Sequence, residues 1–178
     1  MTWSFPGISY PVEMVYTQTR GVKPDAILMK FLPQVGNMPT YGTVTLAYAS
    51  TVTLPSAIVD IDTLQMHPDG IHHTVIAWDR RYRWQYAAPI TGYYNVARAG
   101  SRIASSEKTL RQLCTLLLTQ LGEGSINVSA VPATVYPEVR WDSEHTATML
   151  DELMREHGLD LCLGFGSEAV TIVQTGSG

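Results

Sequence analysis

An α+β fold is what this sequence predicts. Strand-like segments fill the chain to about residue 100, two segments with helical spacing follow, and a short hairpin pattern closes it. Strands and helices are segregated along the chain, which implies α+β. The expected organisation is a β-rich domain over residues 1–100 and an α+β module of two helices and a hairpin over 101–178.

The β-rich part rests on YGTVTLAYA, SAIVDIDTLQ, HHTVIAWDRR and YRWQY, all rich in Val, Ile, Thr and Tyr and several of them separated by Pro or Gly. Turn chemistry fills the gaps. Gly36-Asn37-Met38-Pro39 favours a bend. His67-Pro68-Asp69-Gly70 places Pro where φ near −65° is wanted and Gly where positive φ is cheap, so it joins IVDIDTLQM to IHHTVIAW as a hairpin.

From Ser105 the period changes. Leu110, Leu113, Cys114, Leu117 and Leu121 recur at steps of three and four, forming one apolar stripe of a helix. Ser105 or Ser106 is the expected cap, Glu107 suits the positive end of the dipole, and Gly122 and Gly124 end the helix. SINVSAVPATVYPEVRW, with two prolines, reads as an extended connector. A second helix is expected from Asp142 or Ser143, burying Ala147, Leu150, Leu153 and Met154 and stopping at Gly158. LDLCLGF and AVTIVQT, separated at Gly166-Ser167, then form a hairpin. A hairpin at a chain end is marginal unless something covers it, so the natural protein is expected to continue.

With 178 residues, 45% hydrophobic and only 16% charged, the chain can bury one sizeable core or two small ones. A net charge of −4, with no basic run, argues against nonspecific duplex binding. Cys114 and Cys162 sit in apolar runs and are expected to be buried and reduced. The first residues lack the basic region and apolar run of a secretory signal, and no stretch is long enough to span a bilayer. The expectation is a soluble protein made in the cytoplasm.

Sites for chemistry are weak. Asp60, Asp62, His67, Asp69, His72 and His73 cluster around one hairpin, but adjacent His72 and His73 face opposite sides of a strand, so a metal is not expected. Neither cysteine has an electropositive, exposed setting, and there is no Gly-x-Ser-x-Gly elbow. GFGSEAV lies between strands and needs no phosphate to explain its glycines. Asp151 and Glu152 belong to the exposed side of a helix. No catalytic residue, cofactor or metal is expected.

The most informative segment is Ala77 to Asn95, where Trp78, Trp84, Tyr82, Tyr86, Tyr93 and Tyr94 stand among Arg80, Arg81 and Arg83 in what reads as extended chain. Such rings and guanidinium groups are enriched where proteins bind proteins. An ordinary two-sided sheet, with the tryptophans on the core face and the arginines on the wet face, explains the pattern equally well.

Taken together, WDRRYRWQYAAPITGYYNV, SSEKTLRQLCTLLLTQLGEG and YPEVRWDSEHTATMLDELMREHGLDLCLGFGSEAVTIV resemble the hub proteins of tailed-phage baseplates and tail tips, of the late-control D kind, and the hub part of type VI secretion spikes. The distinctive part is Pro137-Glu138-Val139-Arg140-Trp141-Asp142 and its spacing to the following helix. The resemblance implies a barrel-like, tail-tube-like first domain and a structural role in the virion. It implies a ring, commonly a trimer, joining the tail tube to a spike or fibre next to a distal-tail protein, with DNA passing through without specific binding. A hub usually carries two tube-like modules, and this chain is short for that.

On that reading Trp78, Arg80, Arg81, Tyr82, Arg83, Trp84, Tyr86, Tyr93 and Tyr94 are the subunit-interface candidates, and Asp60, Asp62 and Asp69 the candidates for an acidic lumen. Replacing Arg81 and Arg83 with glutamate is expected to spare folding and stop assembly. Trp141 is expected to pack in the core, with anchoring of the connector on a helix as the other reading. The competing readings are another tail or capsid component, such as a distal-tail ring, terminator or decoration protein, and a metal-dependent hydrolase or nuclease.

Overall fold

The computed structural model describes residues 2–4, 11–32, 41–47, 51–68, 70–98, 100–163 and 169–176. The turns at Gly36–Pro39 and Gly166-Ser167, and Asp69, lie outside them. The chain divides into two compact units. One holds Lys23–Tyr82 and the residues up to Thr19; the other holds Arg20–Val22 and nearly everything from Arg83 onward.

The first unit is an antiparallel sheet of six strands: β1 (Thr2–Ser4), β2 (Pro11–Thr17), β3 (Ala26–Phe31), β4 (Tyr41–Ala47), β5 (Thr51–His67) and β6 (Gly70–Trp78), in the order β1-β4-β5-β6-β3-β2. The expected hairpin is there, closing at His67 opposite Gly70. Closing a sheet into a barrel requires its two edge strands to pair. Among the described residues no pairing joins β1 to β2, so the sheet is open and the barrel-like expectation reduces to a single sheet.

Period-two alternation places Ile27, Met29 and Phe31 of β3 on one face, opposite Ala77, Val75 and His73 of β6. Ala57, Ile27, Met29, Phe31, Val75 and Ala77 form the core of this unit, with Met14, Tyr16 and Val59 packed against it. The alternation of β5 is interrupted. Val59 pairs with Ala77 and Ile61 with Ile76, so Asp60 is the extra residue of a β-bulge.

YRWQY is not a strand. Arg80–Tyr86 is a 3-10 helix, started by Asp79, whose carboxylate accepts the Arg81 N–H at 2.7 Å and whose carbonyl accepts the Tyr82 N–H at 3.1 Å. An Asp directly after a strand is a cap signal, and here it outweighed the strand propensity of Tyr and Trp.

The second unit contains β7 (Ile90–Tyr94), the small hairpin β8 (Ala97–Arg98) and β9 (Ser101–Arg102), α1 (Leu110–Gln120), β10 (Ile126–Asn127), β11 (Val139–Glu144), α2 (Thr146–Glu156), β12 (Leu159–Leu163) and β13 (Val170–Gln174). β12 and β13 form the expected antiparallel hairpin, and β10 adds to β13 in parallel. The outer edge of β12 is met by Gly21, whose N–H donates to the Leu161 carbonyl at 3.0 Å. One core joins Leu110, Leu113, Cys114, Leu117 and Leu118 of α1 with Ala147, Leu150, Leu153 and Met154 of α2 and with Leu161, Val170 and Ile172 of the hairpin. The helical stripes read from spacing are the buried ones.

Both helix starts differ from expectation. α1 begins after Thr109, whose hydroxyl accepts the Gln112 N–H while the Gln112 side chain accepts the Thr109 N–H, a reciprocal capping box. Ser105 and Ser106 lie instead in a separate short turn. Asp142 and Ser143 stay in β11, because Val139, Arg140 and Trp141 pair with Tyr94, Tyr93 and Gly92 of β7; α2 starts after His145. Gly158 does end α2, at φ +63°.

Candidate assembly surface

Where β3 begins and β6 ends, three charges are buried together. Arg81 Nη2 donates to Asp79 Oδ2 at 2.7 Å and to Asp25 Oδ1 at 2.8 Å, while Arg81 Nε reaches both Asp79 oxygens. Tyr16 Oη donates to Asp25 Oδ2 at 2.9 Å, and the Thr19 N–H and hydroxyl donate to Asp25 Oδ1. Backbone closes the arrangement, with Asp25 N–H on Asp79 Oδ2 at 2.6 Å and Asp79 N–H on the Asp25 carbonyl. Burial by itself lowers the Arg81 pKa, but the hydrogen bonds and charge of Asp79 and Asp25 outweigh it and hold the guanidinium above its ordinary value. Burial, then the hydrogen bond to Asp25, raise the Tyr16 phenol well above its usual range. This cluster fixes the strand ends and the 3-10 helix. Arg81 is an interior residue, and its place among surface candidates is corrected by that.

One step away lies a triad in which Asp60 is exposed and Trp78 and Tyr82 are half-buried. Trp78 Nε1 donates to Asp60 Oδ2 at 3.1 Å and Tyr82 Oη to Asp60 Oδ1 at 2.6 Å. The Trp78 and Tyr82 rings stack at 5.8 Å and 9°. The bulge aims Asp60 at this pair, so residues separated in the sequence as lumen and interface candidates meet at one site.

In the second unit, Trp84 is buried and donates through Nε1 to Glu123 at 3.0 Å, so it too is an interior residue. Tyr94 is half-buried, edge-on to Trp141 at 5.7 Å, with the Lys108 ammonium 5.5 Å over its ring. Trp141 is buried in the core that both helices share. Tyr86, 74% exposed, and Tyr93, 51% exposed, are the large open rings of this segment, with Arg83 also exposed and Arg80 half-buried. The Tyr93 hydroxyl donates to Asp142, which raises its pKa.

Of the remaining candidates, Asp62 pairs in the strand register with Val75, its side chain outside the described residues, as is the whole of Asp69. His72 and His73 do point to opposite faces: His72 is buried, and the His73 ring lies 5.2 Å from Phe31. Among the described residues no three His, Cys, Asp or Glu side chains converge.

No protein-family model matches the sequence, and no curated protein matches it. Solved structures do. The 43 kDa tail protein of prophage MuSo2 from Shewanella oneidensis superimposes with a TM-score of 0.59 at 12% identity, over 86% of this chain and 47% of that one. The fold is similar to that of phage tail proteins. A tail protein from Neisseria meningitidis MC58 matches with a TM-score of 0.53 at 10% identity, over 84% of this chain and 41% of that one. The E. coli c3393 protein, a type VI secretion system component with structural similarity to T4 bacteriophage tail proteins gp27 and gp5, matches over the whole chain and 50% of its own, with a TM-score of 0.62 at 12% identity. The likeness is one of fold, and the chain spans about half the length of these proteins.

Proposed function

We propose that this chain is a structural component of a bacteriophage tail, a hub or tail-tip protein that joins the tail tube to a central spike or fibre and surrounds the path of the DNA. The observation that carries the reading is the fold likeness to two tail proteins across 84% and 86% of the chain, at TM-scores of 0.53 and 0.59, and to a type VI secretion component over the whole chain at 0.62. Passive architecture is the mechanism: no bond is made or broken, and the work of the molecule is to hold neighbours in register.

The surface supports this. Tyr86 and Tyr93 offer open rings, and Trp78, Tyr82 and Arg83 offer polar aromatic contacts of the kind enriched in interfaces. A ring of copies, in the proposal a trimer, would cover the edges of the open sheet. The net charge of −4 suits a DNA path, since a lumen poor in Lys and Arg does not hold phosphates. Asp62 and Asp69 are the residues proposed to face it, whereas Asp60, the third lumen candidate, is engaged by Trp78 and Tyr82.

Electron microscopy of the intact particle tests the proposal. Three copies around the axis, between tube and spike, is the expected result. Six or many copies, or a position off the axis, would overturn the hub assignment.

A further inference from the structure

We propose that Asp60, Trp78 and Tyr82 form a receptor for one arginine side chain of a neighbouring polypeptide in the assembly. This rests on reading the chain as an assembly component, and it names the chemistry of one contact. Asp60 is exposed, and among the described residues its partners are two neutral donors, the Trp78 indole and the Tyr82 hydroxyl; no cation pairs with it.

Three features make the site more than a surface carboxylate. The β-bulge places Asp60 out of the ladder register, and bulges commonly re-aim a side chain at a functional position. Each carboxylate oxygen accepts one bond, which fixes the group and leaves a lone pair on each oxygen open. The stacked rings beside it present π surface to whatever approaches the carboxylate.

Arginine fits this combination better than lysine or a sugar. Its planar guanidinium stacks on an aromatic face and forks onto both oxygens of a carboxylate, whereas an ammonium is a compact, strongly hydrated point charge. A neutral sugar would leave the charge of Asp60 without a partner. The site is half-built in the protomer, with anion and rings in place and the cation supplied from outside.

Indole nuclear magnetic resonance on the isolated full chain tests this without any tail. The four tryptophans are expected to give separate Nε1–H signals, and the methyl signals of Ile27 and Val75, buried in the core of the unit that holds Asp60, report on its fold. N-acetyl-arginine amide is expected to move the Trp78 signal, while N-acetyl-citrulline amide, its neutral isostere, does not. Asp60→Asn is expected to weaken arginine binding by roughly tenfold or more. Should Asp60→Asn disturb the Ile27 and Val75 signals, Tyr82→Phe decides instead, because it keeps both the charge and the ring and must still prefer arginine to citrulline. Equal response to citrulline, unchanged binding in Asp60→Asn, loss of the preference in Tyr82→Phe, or a Trp78 signal moved only by maltose would each overturn the proposal. Copy number in the particle tests the tail reading separately, so either can fail alone.

Discussion

Arg81 Nη2 lies 2.8 Å from Asp25 Oδ1, a contact across 56 residues of sequence that holds the start of β3 to the end of β6. The same nitrogen reaches Asp79 Oδ2 at 2.7 Å, and all three side chains are almost wholly buried. Two carboxylates and one guanidinium are stable there only together, because removing the cation leaves like charges desolvated side by side.

Arg81→Met is therefore expected to cost on the order of 3–5 kcal/mol of folding stability, and Arg81→Glu at least as much. Arg83→Glu, at an exposed position, is expected to change stability by less than about 1 kcal/mol. Urea unfolding of the three variants, followed by circular dichroism, checks the contrast. Comparable losses at both positions would show that the buried cluster does not support the fold. The expectation that the Arg81 and Arg83 double variant folds normally is corrected on the same ground.

Thr109→Ala is expected to lower stability by about 1 kcal/mol, since it removes the hydroxyl that caps α1. Ser105→Ala, whose residue lies outside the helix, is expected to be neutral. Thermal melts of the pair decide, and the reverse order would move the helix start.

Burial pushes the Cys114 thiol up to about 12. In the native chain it stays protonated at pH 8 to 9, where an unfolded cysteine ionises, so Ellman's reagent should reach Cys114 only after unfolding. Cys162, which is partly exposed, should react first. The linkage has a sign: the unfolded state loses the thiol proton near pH 9 and the folded state near 12, so this group's contribution to stability declines as pH rises through that window. Two thiols reacting at one rate in the native protein would contradict the core as described.

Gly158→Ala is expected to cost about 1–2 kcal/mol, for a reason of backbone alone. The residue sits at φ +63°, and an added Cβ would meet no atom within 4 Å, so the cost is the left-handed conformation and not a clash. Chemical denaturation measures it. A neutral result would mean that the helix ends elsewhere.

Tyr86→Ser and Tyr93→Ser follow from the proposed assembly role. Each ring is open to solvent, so folding stability should shift by less than about 1 kcal/mol. Incorporation into particles, measured on purified virions, should drop. Normal incorporation of the double variant would remove these rings from the interface.

Much of the fold was legible from spacing. The apolar steps of Leu110, Leu113, Cys114 and Leu117, and of Ala147, Leu150, Leu153 and Met154, define the buried faces of α1 and α2, because a helix repeats its surface every 3.6 residues. The β5–β6 hairpin was legible from its Pro and Gly. The segment after β6 was misread because Tyr and Trp favour strands by the surfaces they pack on, whereas Asp79 capping Arg81 is a local hydrogen bond that composition does not register. The α2 start was misread for a tertiary reason, since pairing with β7 keeps Val139 to Trp141 extended. The site was half legible: Trp78, Tyr82 and Asp60 were each singled out, but under different roles.

By itself, then, the sequence determined which residues of the two helices are apolar at helical period, and with them the helical share of the second core and the order helix, connector, helix, hairpin. Periodicity is a property of neighbours along the chain. Only the tertiary structure decided that Arg81 is buried while Arg83 is exposed, and that Asp60 meets Trp78 and Tyr82. Those outcomes depend on strand register and on one bulge, which bring together groups 56 and 22 positions apart, and no local pattern encodes a partner at that distance.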